Sequence, residues 1–246
     1  MRISRGIATL SIAALTLVGV SACSSDEPEE TTTTAEETEA PEPEETESEA
    51  AEPEEDAEED DAADAPAGSG SAASWANPVT TPGTLLTTVT SDQFTLDIYQ
   101  VGVTQATKTG QFVDPDGNPI ITEGSDIVFV NYVVTNTSGE SIPLGASLVD
   151  VSARYADWPY MQGMDSVVDS DLFEAQEVNS GGAAAGSYVD PYVLAWEPDT
   201  QFSYGENFRH QVGSPITFTV TMIPVDDQGE LLHDQKVEVT ADTTIA

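Results

Sequence analysis

"DIVFVNYVVTN", residues 126–136, is the stretch on which the fold turns. Val, Ile, Phe and Tyr fill it, and only Asn131 interrupts the apolar run. A β-branched and aromatic run of this length reads as a strand buried within a sheet. Segments on either side repeat the theme. "FTLDIYQVGV" (94–103) alternates Phe94, Leu96 and Ile98 with polar partners before continuing apolar. In "PITFTVTMIPV" (215–225), Ile216, Phe218, Val220 and Met222 mark one face, while Thr217, Thr219 and Thr221 mark the other. That period of two is the strand signature. "ASLVDVSARY" (146–155), "SYVDPYVLAW" (187–196) and "LLHDQKVEVTA" (231–241) read the same way, and "TLLTTVT" (84–90) is a weaker strand.

Turn chemistry separates these runs: "DPDGNP" at 114–119, "TSGESIP" at 137–143 and "DDQG" at 226–229. One short helical turn is expected in "SDLFEAQEV" (170–178), with Ser170 as cap and Phe173 facing inward. About seven strands at this spacing predict an all-β fold, an immunoglobulin-like antiparallel β-sandwich over residues 75–246. The Gly-Ala-rich middle, 156–187, fits no compact pattern.

The chain opens with Arg2 and Arg5, an apolar run from Ile7 to Val20, and the small residues Ser21 and Ala22. This is the order of a secretory signal peptide, here residues 1–22. The apolar run is shorter than the ~20 residues a membrane-spanning helix needs. No later stretch approaches that length, so no transmembrane helix is expected after processing. A short buried helix is the plainer alternative. Val20-Ser21-Ala22-Cys23 resembles the lipobox of bacterial lipoproteins. The resemblance implies cleavage before Cys23, lipidation of its thiol and acylation of the new N-terminus. Two or more acyl chains anchor a protein stably where one does not. Ordinary secretion with a free thiol is the alternative. Cys23 is the sole cysteine, so neither disulfides nor a cysteine metal site are available.

Residues 26–66 are almost entirely Glu, Thr, Ala, Pro and Asp. Such a segment cannot bury enough apolar surface to offset its ordering entropy. A disordered acidic tether is therefore expected over 23–74, ending in the flexible join "GSGSAAS" (68–74). Spacer is the simple role; a weak cation sponge, a docking tail or an O-glycosylated stalk are others. From Cys23 onward only Lys108, Arg154, Arg209 and Lys236 offset 45 Asp and Glu residues. That balance excludes nucleic acid as a partner, because phosphate binding needs clustered Lys and Arg.

A second resemblance rests on "DIVFVNYVVTNTSGESIPLG" (126–145) and "LAWEPDTQFSYGENF" (194–208). The first looks like the central strand pair of the telokin-like bacterial lipoprotein domains. The second is similar to their proline turn leading into the last strands. The resemblance implies an immunoglobulin-like sandwich on a lipid anchor and specifies no activity.

Enzyme signatures are missing: there is no GxSxG elbow, no HExxH and no phosphate loop. His210 and His233 lie on different predicted elements, and no cofactor or catalytic residue is expected. "DPDGNP" offers Asp114, Asp116 and Asn118 at alternate positions, as at the start of a calcium loop. Pro119 and Ser125 break that pattern at its sixth and twelfth positions, and an ordinary turn explains the motif as well. "DSVVDSD" (165–171) is a second oxygen-rich stretch, and the Met pair of "MQGM" (161–164) raises Cu(I) against simple packing. Trp158, Tyr160 and Trp196 are either core or an aromatic patch for sugar or peptide. The expected function is a binding module held on the outer face of the cell membrane through Cys23, with an envelope protein or glycan as partner. Calcium or small-solute capture by the acidic domain is the alternative.

Overall fold

The computed structural model describes residues 70–246. The leader and the tether up to residue 69, including Cys23, lie outside the described residues. Nine strands follow: β1 (Ser71–Ala72), β2 (Thr84–Thr90), β3 (Phe94–Gln105), β4 (Asp126–Asn136), β5 (Ile142–Tyr155), β6 (Leu194–Trp196), β7 (Thr200–Arg209), β8 (Pro215–Pro224) and β9 (Val237–Thr244). One helix, α1 (Ser170–Ala175), and a 3-10 turn at His233–Gln235 complete the described elements.

The strands form two sheets, ordered β1-β7-β4-β3-β2 and β6-β5-β8-β9. Every pairing is antiparallel except the two-residue match of β1 with β7. The chain changes sheets after β4, β6 and β7, leaving β4 beside β7 and β5-β8-β9 opposite them. This is the crossed connection of an immunoglobulin-like sandwich.

Strand parity places the core. Even-numbered residues of β4 and β7 point between the sheets, where Tyr132 meets Phe218 edge-on at 6.1 Å and Phe208 meets Tyr155 at 5.7 Å. Phe94, Leu96 and Ile98 of β3, with Ile216, Phe218, Val220 and Met222 of β8, complete this layer at 1% exposure or less. Burying each such side chain contributes about 1.5–3 kcal/mol.

Residues 126–136 are buried on both faces because a third layer covers the outside of the first sheet. Phe173 of α1 packs edge-on against Phe129 at 5.1 Å. The rest of this layer is held by side-chain amides and a hydroxyl. Asn131 Nδ2 donates to the Thr80 carbonyl at 2.7 Å, and Asn207 both donates to and accepts from the Val167 backbone at 2.9 Å. Ser203 Oγ accepts from Thr80 N and from Asn179 Nδ2. Buried Asp165 accepts from the backbone N–H groups of Gln111 and Phe112, both at 3.1 Å. Segment 156–187 thus needs few strands or helices of its own, since the sheet supplies its polar partners.

Several boundaries differ from the sequence expectation. Only Leu194–Trp196 of 187–196 is strand; Pro191 has no N–H for a ladder, and the chain bends at Asp190 and Pro191. Residues 231–241 begin in a turn, and the strand starts at Val237. The cap of α1 is Asp169, whose carboxylate accepts from Asp171 N, while Phe173 is buried as expected. Ser71 and Ala72, assigned to the flexible join, pair with Thr200 and Gln201 of β7. No helix among the described residues is long and apolar enough to cross a membrane.

Candidate functional site

A break in β5 creates the most developed concavity. Leu144 pairs with Pro224 and Val149 with Met222, so five steps along β5 span two along β8. The excess bulges out at Gly145–Leu148, and Leu148 sits at φ 52, a left-handed conformation unusual for a branched residue. Such a conformation costs about 1–3 kcal/mol and persists only where its surroundings impose it. Gly182 lies against this bulge. A Cβ there would come within 2.8 Å of the Phe202 ring and 2.9 Å of Leu148, so glycine permits the close approach.

On its other edge β5 is paired by β6 only at Ile142, Pro143 and Leu144. Past that point the edge faces the open side of the sandwich, where three hollows follow one another. The first, about 430 Å³, lies between Ala146, Ala183, Ala184 and the rings of Tyr188 and Tyr192. The second, about 260 Å³, shares Ala146 and Ala183 with it and reaches Ser147, Asp150 and Tyr204. The third, about 210 Å³, shares Asp150 and is lined by Ser152, Gly163, Met164 and Glu206. Together they make a groove along β5.

One end of the groove is aromatic. Tyr188 and Tyr192 stack at 5.4 Å with their planes 21° apart, and Tyr188 is 70% exposed. The other end is acidic. Glu206 occupies an inward-facing position of β7, in series with Phe202, Tyr204 and Phe208, and is only half-buried beside the hollow. The Tyr132 hydroxyl donates to Glu206 Oε1. The Tyr204 hydroxyl bridges the sheets by donating to the Val149 carbonyl at 2.6 Å. Burial pushes the Glu206 carboxyl up to about 7; the Tyr132 hydrogen bond pulls against this and the Asp150 charge adds to it. The same burial, with Glu206 nearby, raises the Tyr132 and Tyr204 phenols well above their usual range. Neither Glu206 nor Asp150 is ion-paired: among the described residues Lys108 pairs with Asp169 and Lys236 with Glu238. Arg154 donates instead to the carbonyls of Tyr160 and Gln162.

The residues singled out from sequence lie elsewhere. Asp114 Oδ1 accepts from the backbone N–H groups of Asp116 and Asn118, both at 2.9 Å, and Asn118 Nδ2 also turns to Asp114. Asp114, Asp116 and Asn118 therefore close a turn on themselves, and the Asn118 bonds hold the Asp114 carboxyl below the usual range. Among the described residues no three His, Cys, Asp or Glu groups gather closely enough to hold a metal ion. Trp196 is fully buried, packed on Phe202 at 5.3 Å, with its indole N–H donating to the Thr200 carbonyl. Trp158 is also buried, packed on half-buried Tyr160 at 5.2 Å. Trp158 and Trp196 are core, so the three rings form no exposed aromatic patch. Met161 is 96% exposed while Met164 turns inward, so the two make no thioether pair. His210 meets the Ala246 carbonyl at 2.9 Å, far in sequence from His233 in its 3-10 turn.

Sequence reading missed Asp150, Glu206, Tyr188 and Tyr192. A signal for Glu206 exists: "QFSYGENFR" carries Phe202, Tyr204, Glu206 and Phe208 at period two, so an acid stands in an apolar register. Tyr188 and Tyr192 carry no such signal, because their stacking follows from loop geometry.

No family profile matches the chain, and no curated protein matches it. Among solved structures the chain is similar to a candidate lipoprotein, ycdA, of Bacillus subtilis subsp. subtilis str. 168, at 13% identity and a TM-score of 0.32. The match covers 64% of this chain and 39% of that one. The chain thus spans less than half the length of that protein, and a likeness this distant transfers no function.

Proposed function

We propose that the chain is a lipid-anchored protein of the cell envelope, fastened to the membrane through Cys23, whose sandwich is a binding module on the extracytoplasmic face. The junction Val20-Ser21-Ala22-Cys23 carries this reading, since it ends an apolar leader and holds the only thiol of the chain. An acidic segment follows the anchor at once and acts as a spacer repelled by anionic headgroups. The sandwich binds through the groove along β5, which joins an open concavity to an aromatic shelf and to carboxylates without counter-ions. It works as a binding domain and not as an enzyme. The partner is an envelope protein or glycan.

Labelling with a clickable fatty acid, followed by membrane fractionation of the protein and of Cys23→Ala, tests the anchor. The expected result is label and membrane retention in the parent and loss of both in the variant. Membrane retention of Cys23→Ala refutes the lipid anchor. Capture from envelope fractions, compared with Tyr188→Ala, tests the binding module; a captured component indifferent to that substitution refutes the groove as its site.

A further inference from the structure

The lining of the groove narrows the chemistry of its occupant. None of the residues around its three hollows is Lys, Arg or His, whereas Asp150 and Glu206 both face it. Exposed Asp150 and half-buried Glu206, which carries its charge once ionised, have no counter-ion in the cleft, so the site repels another anion and rewards a cation. The acidic N-terminal segment of this chain therefore makes a poor occupant. A second copy does too, since the chain holds 45 acidic residues against six basic ones.

Shape adds a second constraint. From Ala146 to Tyr155 no strand pairs with the groove-side edge of β5 among the described residues, although the Tyr204 hydroxyl already occupies the Val149 carbonyl. At a rise of about 3.3 Å per residue, the regular part of that edge from Val149 to Tyr155 is about 20 Å, the length of about six extended residues. Exposed strand edges take up extended segments by main-chain hydrogen bonding, with side-chain pockets supplying selectivity. Here the pockets differ: small residues and two stacked tyrosines at one end, carboxylates at the other.

Building on the reading of the sandwich as a binding module, we propose that this groove takes an extended peptide segment laid along the edge of β5 that no strand covers. A Lys or Arg side chain of that segment stands opposite Asp150 and Glu206. An aromatic or aliphatic side chain packs on Tyr188 and Tyr192. The cation supplies the ion pair that Glu206 and Asp150 lack, and a charge-assisted bond in a half-buried site outlasts moderate salt.

The test uses the full chain in fluorescence anisotropy at roughly 0.15 M salt, where exposed charges are largely screened. The probes are a fluorescein-labelled hexapeptide with two lysines at one end and phenylalanine at the other, its twin with glutamate for lysine, and a labelled neutral tetrasaccharide of N-acetylglucosamine. The lysine probe is expected to bind and its twin to fail. Asp150→Asn combined with Glu206→Gln, and separately Tyr188→Ala, are each expected to weaken binding about tenfold or more. Asp150 is exposed, so Asp150→Asn alone decides the matter should the double variant misfold.

Equal binding of the two peptides overturns the proposal. So does full-strength binding to Asp150→Asn, because the lysines would then be held by the acidic N-terminal segment. Tetrasaccharide binding that Tyr188→Ala abolishes, without binding of the lysine peptide, refutes the peptide but leaves the groove as the binding site. Envelope capture indifferent to Tyr188→Ala removes the groove and this proposal together.

Discussion

Replacing Glu206 by Gln should flatten the dependence of stability on pH. In the folded chain the Glu206 carboxyl titrates at about 7, against an ordinary value of 4.5. Between those two values the folded state keeps a proton that the unfolded state has lost. Stability contributed by the neutral carboxyl is therefore complete below about pH 4.5 and is lost as pH rises through about 7. The full shift converts to about 3 kcal/mol. Glu206 is half-buried beside an open hollow, and solvent screening brings the expected loss to about 1–2 kcal/mol. Other displaced carboxyls act outside this window. Asp114 is held low by its Asn118 bonds, Asp169 by the Thr107 hydroxyl and then Lys108, and Glu238 by Lys236. Their contributions fade only at more acid pH.

Urea unfolding followed by tryptophan fluorescence supplies the assay, since all three tryptophans are buried in the sandwich. Between about pH 5 and pH 8 the parent should lose about 1–2 kcal/mol relative to Glu206→Gln, whose amide still accepts from Tyr132. Parallel pH profiles for the two proteins would show that Glu206 is ionised in the folded state throughout, and the account of the acidic end of the groove would fail.

Three further outcomes follow from the geometry. Gly205→Ala places a Cβ 2.1 Å from the Val130 carbonyl oxygen and 2.6 Å from Val178, and since the oxygen is backbone the sheet has to part. A loss of about 3 kcal/mol or more is expected in urea unfolding, and a neutral variant would contradict the β4–β7 register. Tyr204→Phe removes the hydroxyl that joins β7 to the Val149 carbonyl and should cost about 1–1.5 kcal/mol, with faster amide exchange at Val149–Val151; unchanged exchange there would argue against the bridge. Asp114→Ala should raise exchange across residues 112–119 without changing any response to Ca²⁺, because that carboxylate caps its own turn. A calcium-induced rise in melting temperature that this variant loses would reinstate the loop as a metal site.

The sandwich was legible because its central strands carry their burial in their own composition. Phe94, Leu96 and Ile98, and the Ile216–Met222 series, show a period of two that no neighbour has to explain. β7 was less legible for a physical reason. Its outer residues Ser203 and Asn207 are polar yet buried, because segment 156–187 and the residues around Thr80 hydrogen-bond to them, and Gln201 is buried with its side chain donating to Thr135 of β4. Polarity there signals a polar interlayer and not solvent, and composition does not distinguish the two. The groove was still harder to see. It depends on a bulge at Gly145–Leu148 and on Gly182 packing against it, contacts between positions more than thirty residues apart. Sequence left Trp158, Tyr160 and Trp196 open between core and an aromatic patch; Trp196 and Trp158 are large enough that the core claims them.

The way the chain enters the sandwich has a mechanical consequence. Trp75 packs on Phe202 and donates its indole N–H to the Ala195 carbonyl, while Asn77 grips the carbonyls of Gly181 and Ala183. Ala76 bridges to Ala183, and Ala73 N donates to the Gln201 carbonyl. A pull applied ahead of residue 70 therefore meets the contacts of Ala73, Trp75, Ala76 and Asn77 before it loads β2. The load passes into β7 and the 181–184 segment, the latter forming one wall of the groove. Tension on the chain and occupancy of the groove thus act on the same few residues, and a bound segment would stiffen the point at which the domain is held.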